Sequence, residues 1–146
     1  MARFIPVDPF DLIIFGGTGD LSLRKLLPAL YHRDRDGQLP PDSRVIALGR
    51  RHMSEDAYLG TVEEALRQNL KEGEFEEEGW RTFRSRLTYT AADALDHESW
   101  ESLRDLLHSR EDRVRVFYLA TAPALFGPIA IGIRASGLIT EASRIV

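Results

Sequence analysis

The strongest constraint on this chain is the point where an apolar run meets a cluster of glycines. Asp11-Leu12-Ile13-Ile14-Phe15-Gly16 reads as a short continuous apolar run with β-branched content, the pattern of a strand buried on both faces. Gly17-Thr18-Gly19 follows, and then Leu21, Leu26, Leu27, Leu30 and Tyr31 recur at helical spacing. The chain therefore passes from a buried strand through a glycine turn into a helix. Pro28 falls inside that helix, where it should remove a hydrogen bond and bend the axis.

The alternation continues. Residues 36–42 are a loop by composition, and Arg44-Val45-Ile46-Ala47-Leu48-Gly49 is a second buried strand. Ser54 is placed to cap a helix that carries Glu55 and Asp56 in its first turn and Tyr58, Leu59, Val62, Ala65, Leu66 and Leu70 as its apolar stripe. Residues 71–80 are rich in glutamate and read as a solvated excursion, after which Trp80, Phe83 and Leu87 tuck a short helix against the core. Leu87-Thr88-Tyr89-Thr90 is a third strand, and residues 96–109 a helix with Trp100, Leu103, Leu106 and Leu107 inward. Arg113-Val114-Arg115-Val116-Phe117-Tyr118-Leu119 is a fourth strand, central because its last four residues are apolar or aromatic. Thr121-Ala122-Pro123 turns into a helix over residues 124–136 that Gly137 stops, and Ser143-Arg144-Ile145-Val146 begins a fifth strand.

Strands and helices in strict alternation imply an α/β fold of the Rossmann type: a doubly wound, mainly parallel sheet with helices on both faces. The 146 residues fit one such domain. Ligands in these sheets bind at the carboxyl ends of the strands. Several other classes drop out. The chain has no cysteine, which excludes disulfides, thiolate metal sites and cysteine nucleophiles. No apolar run approaches the roughly 20 residues of a membrane span, and Met1 to Pro6 does not begin a signal peptide. A net charge of −4 argues against nucleic-acid binding through bulk charge. Walker, G-x-S-x-G and H-E-x-x-H motifs are absent.

The glycine turn carries the first chemical signal. Gly16 can adopt the backbone angles that a tight strand-to-helix turn needs, Gly19 lets a pyrophosphate approach the backbone, and Ser22 is small where helix and strand pack. The helix start offers free N–H groups and partial positive charge. The spacing Gly-x-x-Gly-x-x-Ser departs from the usual G-x-G-x-x-G, so a purely structural turn is the competing reading. Its place directly after the first buried strand favours phosphate binding. The second signal is the end of the second strand, Gly49-Arg50-Arg51-His52. An NAD site usually places a carboxylate there to hold the ribose hydroxyls, and none is present. A guanidinium can instead grip a 2′-phosphate with paired hydrogen bonds of about 1.5–3 kcal/mol each. Arg50 therefore points to NADP, with a preference of roughly tenfold to hundredfold.

These residues resemble a known family. Gly16-Gly17-Thr18-Gly19-Asp20-Leu21-Ser22-Leu23-Arg24-Lys25-Leu26-Leu27-Pro28-Ala29-Leu30-Tyr31 is similar to the N-terminal signature of glucose-6-phosphate dehydrogenases. Phe117-Tyr118-Leu119-Ala120-Thr121-Ala122-Pro123, followed by Leu125-Phe126-Gly127-Pro128, resembles a second segment of that family. The resemblance implies oxidation of C1 of glucose 6-phosphate to the lactone, with hydride passed to NADP, in the cytoplasm. It implies that Gly16, Gly17, Thr18, Gly19, Asp20 and Leu21 form the coenzyme loop and that Arg50 meets the 2′-phosphate with Arg51 beside it. By the same resemblance Ala120, Ala122, Pro123 and Phe126 line the coenzyme cleft, and Lys25 reaches from the first helix toward the substrate. Spacing alone would make Lys25 a solvated helix residue.

The family's Glu-Lys-Pro segment would begin just past Val146, and its catalytic His-Asp pair lies in a second domain. His32, His52, His97 and His108 match no catalytic position and read as structural or surface residues. The expectation is therefore an N-terminal NADP-binding domain over residues 1–146 that binds coenzyme without turnover, no metal being implied. The resemblance implies a homo-oligomeric full-length enzyme and a monomeric or weakly associated shorter chain. The alternative is a free-standing NADP-binding module with a sensory or regulatory role.

Overall fold

The computed structural model describes residues 8–146; the start of the chain, on which the signal-peptide argument rests, lies outside them. Five strands form one sheet in the order β3-β2-β1-β4-β5, every neighbouring pair parallel. β1 is Phe10–Phe15, β2 Arg44–Gly49, β3 Leu87–Ala91, β4 Val114–Leu119 and β5 Ser143–Ile145. The order runs outward from β1 in both directions, which is the doubly wound topology, with its switch point between β1 and β4.

Alternate residues of each strand feed opposite core layers. Leu12, Ile14, Val45 and Ala47 face α1 (Leu27–Arg35), α2 (Glu55–Asn69) and α3 (Glu77–Arg84), where Tyr58, Val62, Leu66, Trp80 and Phe83 are buried. Ile13, Phe15, Ile46, Leu48 and Phe117 face α4 (Glu101–His108) and α5 (Phe126–Ala135), where Trp100, Leu103, Leu107, Ile129 and Ile133 are buried. β4 sits between β1 and β5 as expected, yet only Arg115 and Phe117 of it are buried; Val116 and Tyr118 stay half-exposed. Both pack at the margin of the layer that α1, α2 and α3 cover.

Four expectations need correction. Pro28 does not interrupt a regular α-helix: the first helix runs unbroken from Asp20 to Arg35, and its residues 22–26 form a π-helical turn, in which the Leu27 N–H donates to the Ser22 carbonyl, just before Pro28 in α1. The wider π turn shifts the hydrogen-bond register just where the proline has no N–H to give. Asp11 is not part of an apolar run. Its side chain is fully buried and paired with Arg44 of β2, through Nε at 2.8 Å and Nη2 at 2.6 Å, with Arg113 at 3.9 Å. The sheet register sets Asp11 opposite both Arg44 and Arg115, so the amino end of the sheet carries a buried charge cluster.

Residues 71–80 are not simply solvated. α3 begins at Glu77, and Phe75 stacks on Tyr31 with ring centroids 6.1 Å apart while the Arg67 guanidinium lies over the Phe75 ring at 4.1 Å. Leu87 opens β3, as the strand reading has it. Lastly, two helices open with 3₁₀ turns: His97–Trp100 precedes α4, capped by the Asp96 carboxylate on the Glu98 N–H, and Pro123–Leu125 precedes α5. Ser54 caps α2 as expected, accepting from the Ala57 N–H at 3.1 Å, and Gly137 ends α5 at φ +67°.

Candidate functional site

The carboxyl ends of β1, β2, β3 and β4 converge on one cleft of about 200 Å³. Its floor is the glycine turn. Gly16 leaves β1 at φ +88°, and a Cβ there would lie 2.4 Å from the Ala120 carbonyl oxygen, so both conformation and space require glycine. The N–H groups of Gly16 and Gly17 both donate to the Leu48 carbonyl, at 3.0 and 2.8 Å, and tie the turn to β2. The Gly16 carbonyl in turn accepts from the Gly19 N–H at 3.0 Å and from the Ser22 hydroxyl at 2.9 Å. Ser22 is thus more than small: it closes the turn.

These bonds decide which amides remain for a ligand. Gly16, Gly17 and Gly19 have spent theirs inside the fold. Those of Thr18, Asp20 and Leu21 meet no acceptor among the described residues, and they stand at the head of the first helix. Three unpaired donors at a helix start, where the helix dipole is positive, form an anion cradle.

Of the residues expected at the site, the cleft brings together Gly16, Thr18, Gly19, Arg50 and Ala120. Arg50 follows directly on β2 with an exposed side chain, and no carboxylate sits at that strand end. Gly17 lies beneath the cleft rather than in its wall; a Cβ there would lie 2.6 Å from the Ala47 Cβ. Asp20 is exposed and paired with Arg24 at 3.1 Å, and Leu21 is exposed beside it. Arg51 points into solvent, while its carbonyl accepts from the Tyr89 hydroxyl. Ala122, Pro123 and Phe126 are exposed at the head of α5, next to the lining but outside it. Lys25 is exposed on the π-helical turn and does not reach the cleft.

Sequence reasoning missed Leu48, Gly49, Ala92, Ala94, Thr121 and Leu125, which complete the lining with Phe15. A signal existed for Gly49, Ala92 and Thr121: each stands at or just after the end of a parallel strand, where ligands in this topology bind. The small side chains of Ala92 and Ala94 beside Leu48 and Leu125 make one side of the cleft apolar and open enough for a flat ring.

None of the four histidines lines the cleft. His32 pairs with Glu74 at 2.9 Å, His97 bonds the Pro128 carbonyl at 3.1 Å, His108 pairs with Glu111 at 2.9 Å, and His52 is exposed. Among the described residues no group of three or more His, Cys, Asp or Glu side chains could hold a metal, and no helix is long and apolar enough to cross a membrane.

Comparison with known proteins agrees with this geometry. The profile of the family described as "Glucose-6-phosphate dehydrogenase, NAD binding domain" matches residues 13–146. The chain is 48% identical over 145 residues to a glucose-6-phosphate 1-dehydrogenase of Rhizobium meliloti, covering 99% of this chain and 30% of that protein. It is 44% identical over 145 residues to that of Mycolicibacterium smegmatis, covering 97% and 29%. Among solved structures, a glucose-6-phosphate 1-dehydrogenase from Mycobacterium avium superposes with a TM-score of 0.84 at 26% identity, over 94% of this chain and 29% of that one. A glucose-6-phosphate dehydrogenase in complex with its substrate glucose-6-phosphate superposes with a TM-score of 0.78 at 27% identity, over 99% and 30%. The chain spans about 30% of the length of the curated relatives it matches, and these relatives are named as dehydrogenases rather than as sensory modules.

Proposed function

The chain belongs to the glucose-6-phosphate dehydrogenase family, and we propose that residues 1–146 form the NADP-binding domain of a glucose-6-phosphate 1-dehydrogenase. On this reading the full-length enzyme is a cytoplasmic homo-oligomer that oxidises glucose 6-phosphate to the lactone, and this chain holds the oxidant. One observation carries it. Thr18, whose amide is unpaired, and Arg50 line the same cleft, with the unpaired amides of Asp20 and Leu21 next along the chain and no carboxylate at the end of β2.

The donor set fits the coenzyme. The amides of Thr18, Asp20 and Leu21 would hold the diphosphate, and the absent side chain of Gly19 lets it approach the backbone. Arg50 would fork onto the 2′-phosphate, with Arg51 adding positive charge nearby. Ala120 forms the β4 side of the cleft, with Ala122, Pro123 and Phe126 above it. When bound, NADP supplies a nicotinamide ring that accepts hydride. Lys25 is assigned to the substrate, on the family resemblance rather than on any contact here.

The cleft is lined by no His, Asp, Glu or Lys. A hydroxyl cannot lose its proton without a base in reach, so this chain binds coenzyme without turning substrate over. Calorimetric titration of the chain with NADP and with NAD tests the reading. One NADP should bind at least about tenfold more tightly than NAD, as the charge-assisted bonds of Arg50 require. Equal or tighter NAD binding would overturn the coenzyme assignment, and lactone formation by this chain alone would overturn the division of labour.

A further inference from the structure

Two tyrosines that line neither half of the proposed coenzyme site hold both halves by their carbonyls. Tyr58 of α2 and Tyr89 of β3 stack with ring centroids 4.8 Å apart and planes 26° from parallel. The Tyr58 hydroxyl donates to the Gly17 carbonyl, in the phosphate turn, at 2.9 Å. The Tyr89 hydroxyl donates to the Arg51 carbonyl, in the segment that carries Arg50. Both rings are buried, Tyr58 completely. Two glycines admit the hydroxyls: a Cβ on Gly17 would lie 3.2 Å from that of Tyr58, and one on Gly49 only 2.8 Å from that of Tyr89.

The bond to Arg51 matters because of what surrounds it. Beyond Gly49 the β2 ladder ends, and α2 does not begin until Glu55. Among the described residues, the Tyr89 hydroxyl is the sole hydrogen-bond partner of the backbone of residues 50–53. The exposed Arg50 side chain has no ion partner among them either, so its root is fixed through the neighbouring peptide. A guanidinium that grips phosphate with two parallel bonds tolerates little displacement.

We propose that the Tyr58–Tyr89 pair is a positioning element that sets the distance between the phosphate turn and Arg50, and that Tyr89 thereby contributes to selection of NADP over NAD. The proposal rests on the coenzyme reading above. The two hydroxyls act on different parts of the same ligand. Tyr58 steadies the turn that meets the diphosphate, common to both coenzymes. Tyr89 steadies the residue that meets the 2′-phosphate, which NAD lacks.

The test is titration of Tyr58→Phe, Tyr89→Phe and Arg50→Ala with NADP and NAD, each beside the wild-type chain. Tyr89→Phe keeps the stacked ring and should weaken NADP by about tenfold, the equivalent of one lost hydrogen bond, while NAD changes by less than about twofold. Tyr58→Phe should weaken both coenzymes alike and leave their ratio intact. Tyr89→Phe on an Arg50→Ala background should have no further effect on the ratio, since its influence runs through Arg50. NAD binding also reports that each variant is folded. A Tyr89→Phe chain whose NADP-to-NAD ratio matches wild type, or which loses both coenzymes together, would overturn the positioning role alone. A wild-type chain that fails to prefer NADP would overturn the coenzyme reading, and this proposal with it.

Discussion

Gly16 and Ala120 leave no room for a side chain between them: a Cβ on Gly16 would sit 2.4 Å from the Ala120 carbonyl oxygen. The contact closes the switch point of the sheet, and the Ala120 N–H donates to the Phe15 carbonyl at 2.9 Å beside it. Gly16→Ala therefore meets two penalties, roughly 1–3 kcal/mol for a side chain at positive φ and roughly 1–3 kcal/mol for overlap with backbone that cannot swing away. Gly37 gives the control, since its φ is +72° with nothing within 4 Å of the added Cβ. Gly37→Ala should cost about 1 kcal/mol from φ alone. Urea unfolding of both variants decides the point, and equal losses would remove the Ala120 contact from the explanation.

Much of this was legible in the sequence, for identifiable reasons. β1 and β2 are flanked by strands on both sides and covered on both faces, so their apolar runs mark them almost to the residue. Gly16, Thr18, Gly19 and Arg50 could be placed because chain position relative to those strands fixes them in this topology. Ala92, Ala94 and Leu125 could not, because they meet the glycine turn only through the sheet order, which no local pattern encodes. Nor could the sequence tell that Leu48 consumes the amides of Gly16 and Gly17 and leaves those of Thr18, Asp20 and Leu21 free. Asp11 was hidden for a related reason: its partners Arg44 and Arg115 come from other strands, so a charge inside an apolar run looks accidental until register pairs it.

Arg50→Ala should lower NADP affinity by roughly tenfold to hundredfold, the loss of a forked charge-assisted contact, and leave NAD nearly unchanged. The side chain is exposed, so its contribution is screened by salt. Titration at low and high ionic strength should therefore show a steeper salt dependence for NADP on the wild-type chain than on the variant. Parallel salt curves would mean that the 2′-phosphate is held elsewhere.

At the other end of the sheet, Asp11→Asn should destabilise the fold without touching coenzyme choice. Asp11 is the carboxylate that faces Arg44 and Arg113, and its electrostatic reach extends to the buried Arg115. Its hydrogen bonds push the Arg44 guanidinium up from its ordinary value, whereas burial pulls that of Arg115 down. An uncharged amide leaves buried guanidinium groups uncompensated, at a cost of about 3–5 kcal/mol. Chemical denaturation measures the loss, and an unchanged NADP-to-NAD ratio in the folded variant separates it from the site.

Gly132 marks the closest approach of α5 to the turn before α4. A Cβ there would lie 2.4 Å from the Trp100 ring and 2.7 Å from the His97 ring, and the Trp100 ring is fully buried. Neither ring can retreat freely, because Trp100 is anchored to the Asp93 carbonyl at 2.7 Å and His97 to the Pro128 carbonyl at 3.1 Å. Gly132→Ala should lose about 1–3 kcal/mol through overpacking, despite the better helix propensity of alanine. Thermal unfolding checks the sign. A variant more stable than wild type would show that the helix shifts without cost.

The last prediction concerns alkaline pH. Burial, reinforced by neighbouring Tyr89, pushes the Tyr58 hydroxyl well above its ordinary value of 10. Burial raises Tyr89 too, while nearby Arg51 pulls it back. In the unfolded chain these phenols ionise near 10; in the folded chain Tyr58 keeps its proton. Above that pH the unfolded state binds fewer protons than the folded one, so stability falls as pH rises, by up to about 1.4 kcal/mol per pH unit for one group. Below about pH 9 the linkage contributes its full stabilisation and the profile is flat with respect to it. Tyr58→Phe should cost about 1–3 kcal/mol at neutral pH, because the Gly17 carbonyl loses its buried donor. The same variant should show a shallower decline between pH 10 and pH 12, since the linked proton is gone. Urea unfolding of both chains across that range separates the two effects. An equal alkaline slope in the variant would mean that Tyr58 ionises in the folded state, and that its bond to Gly17 is weaker than its burial implies.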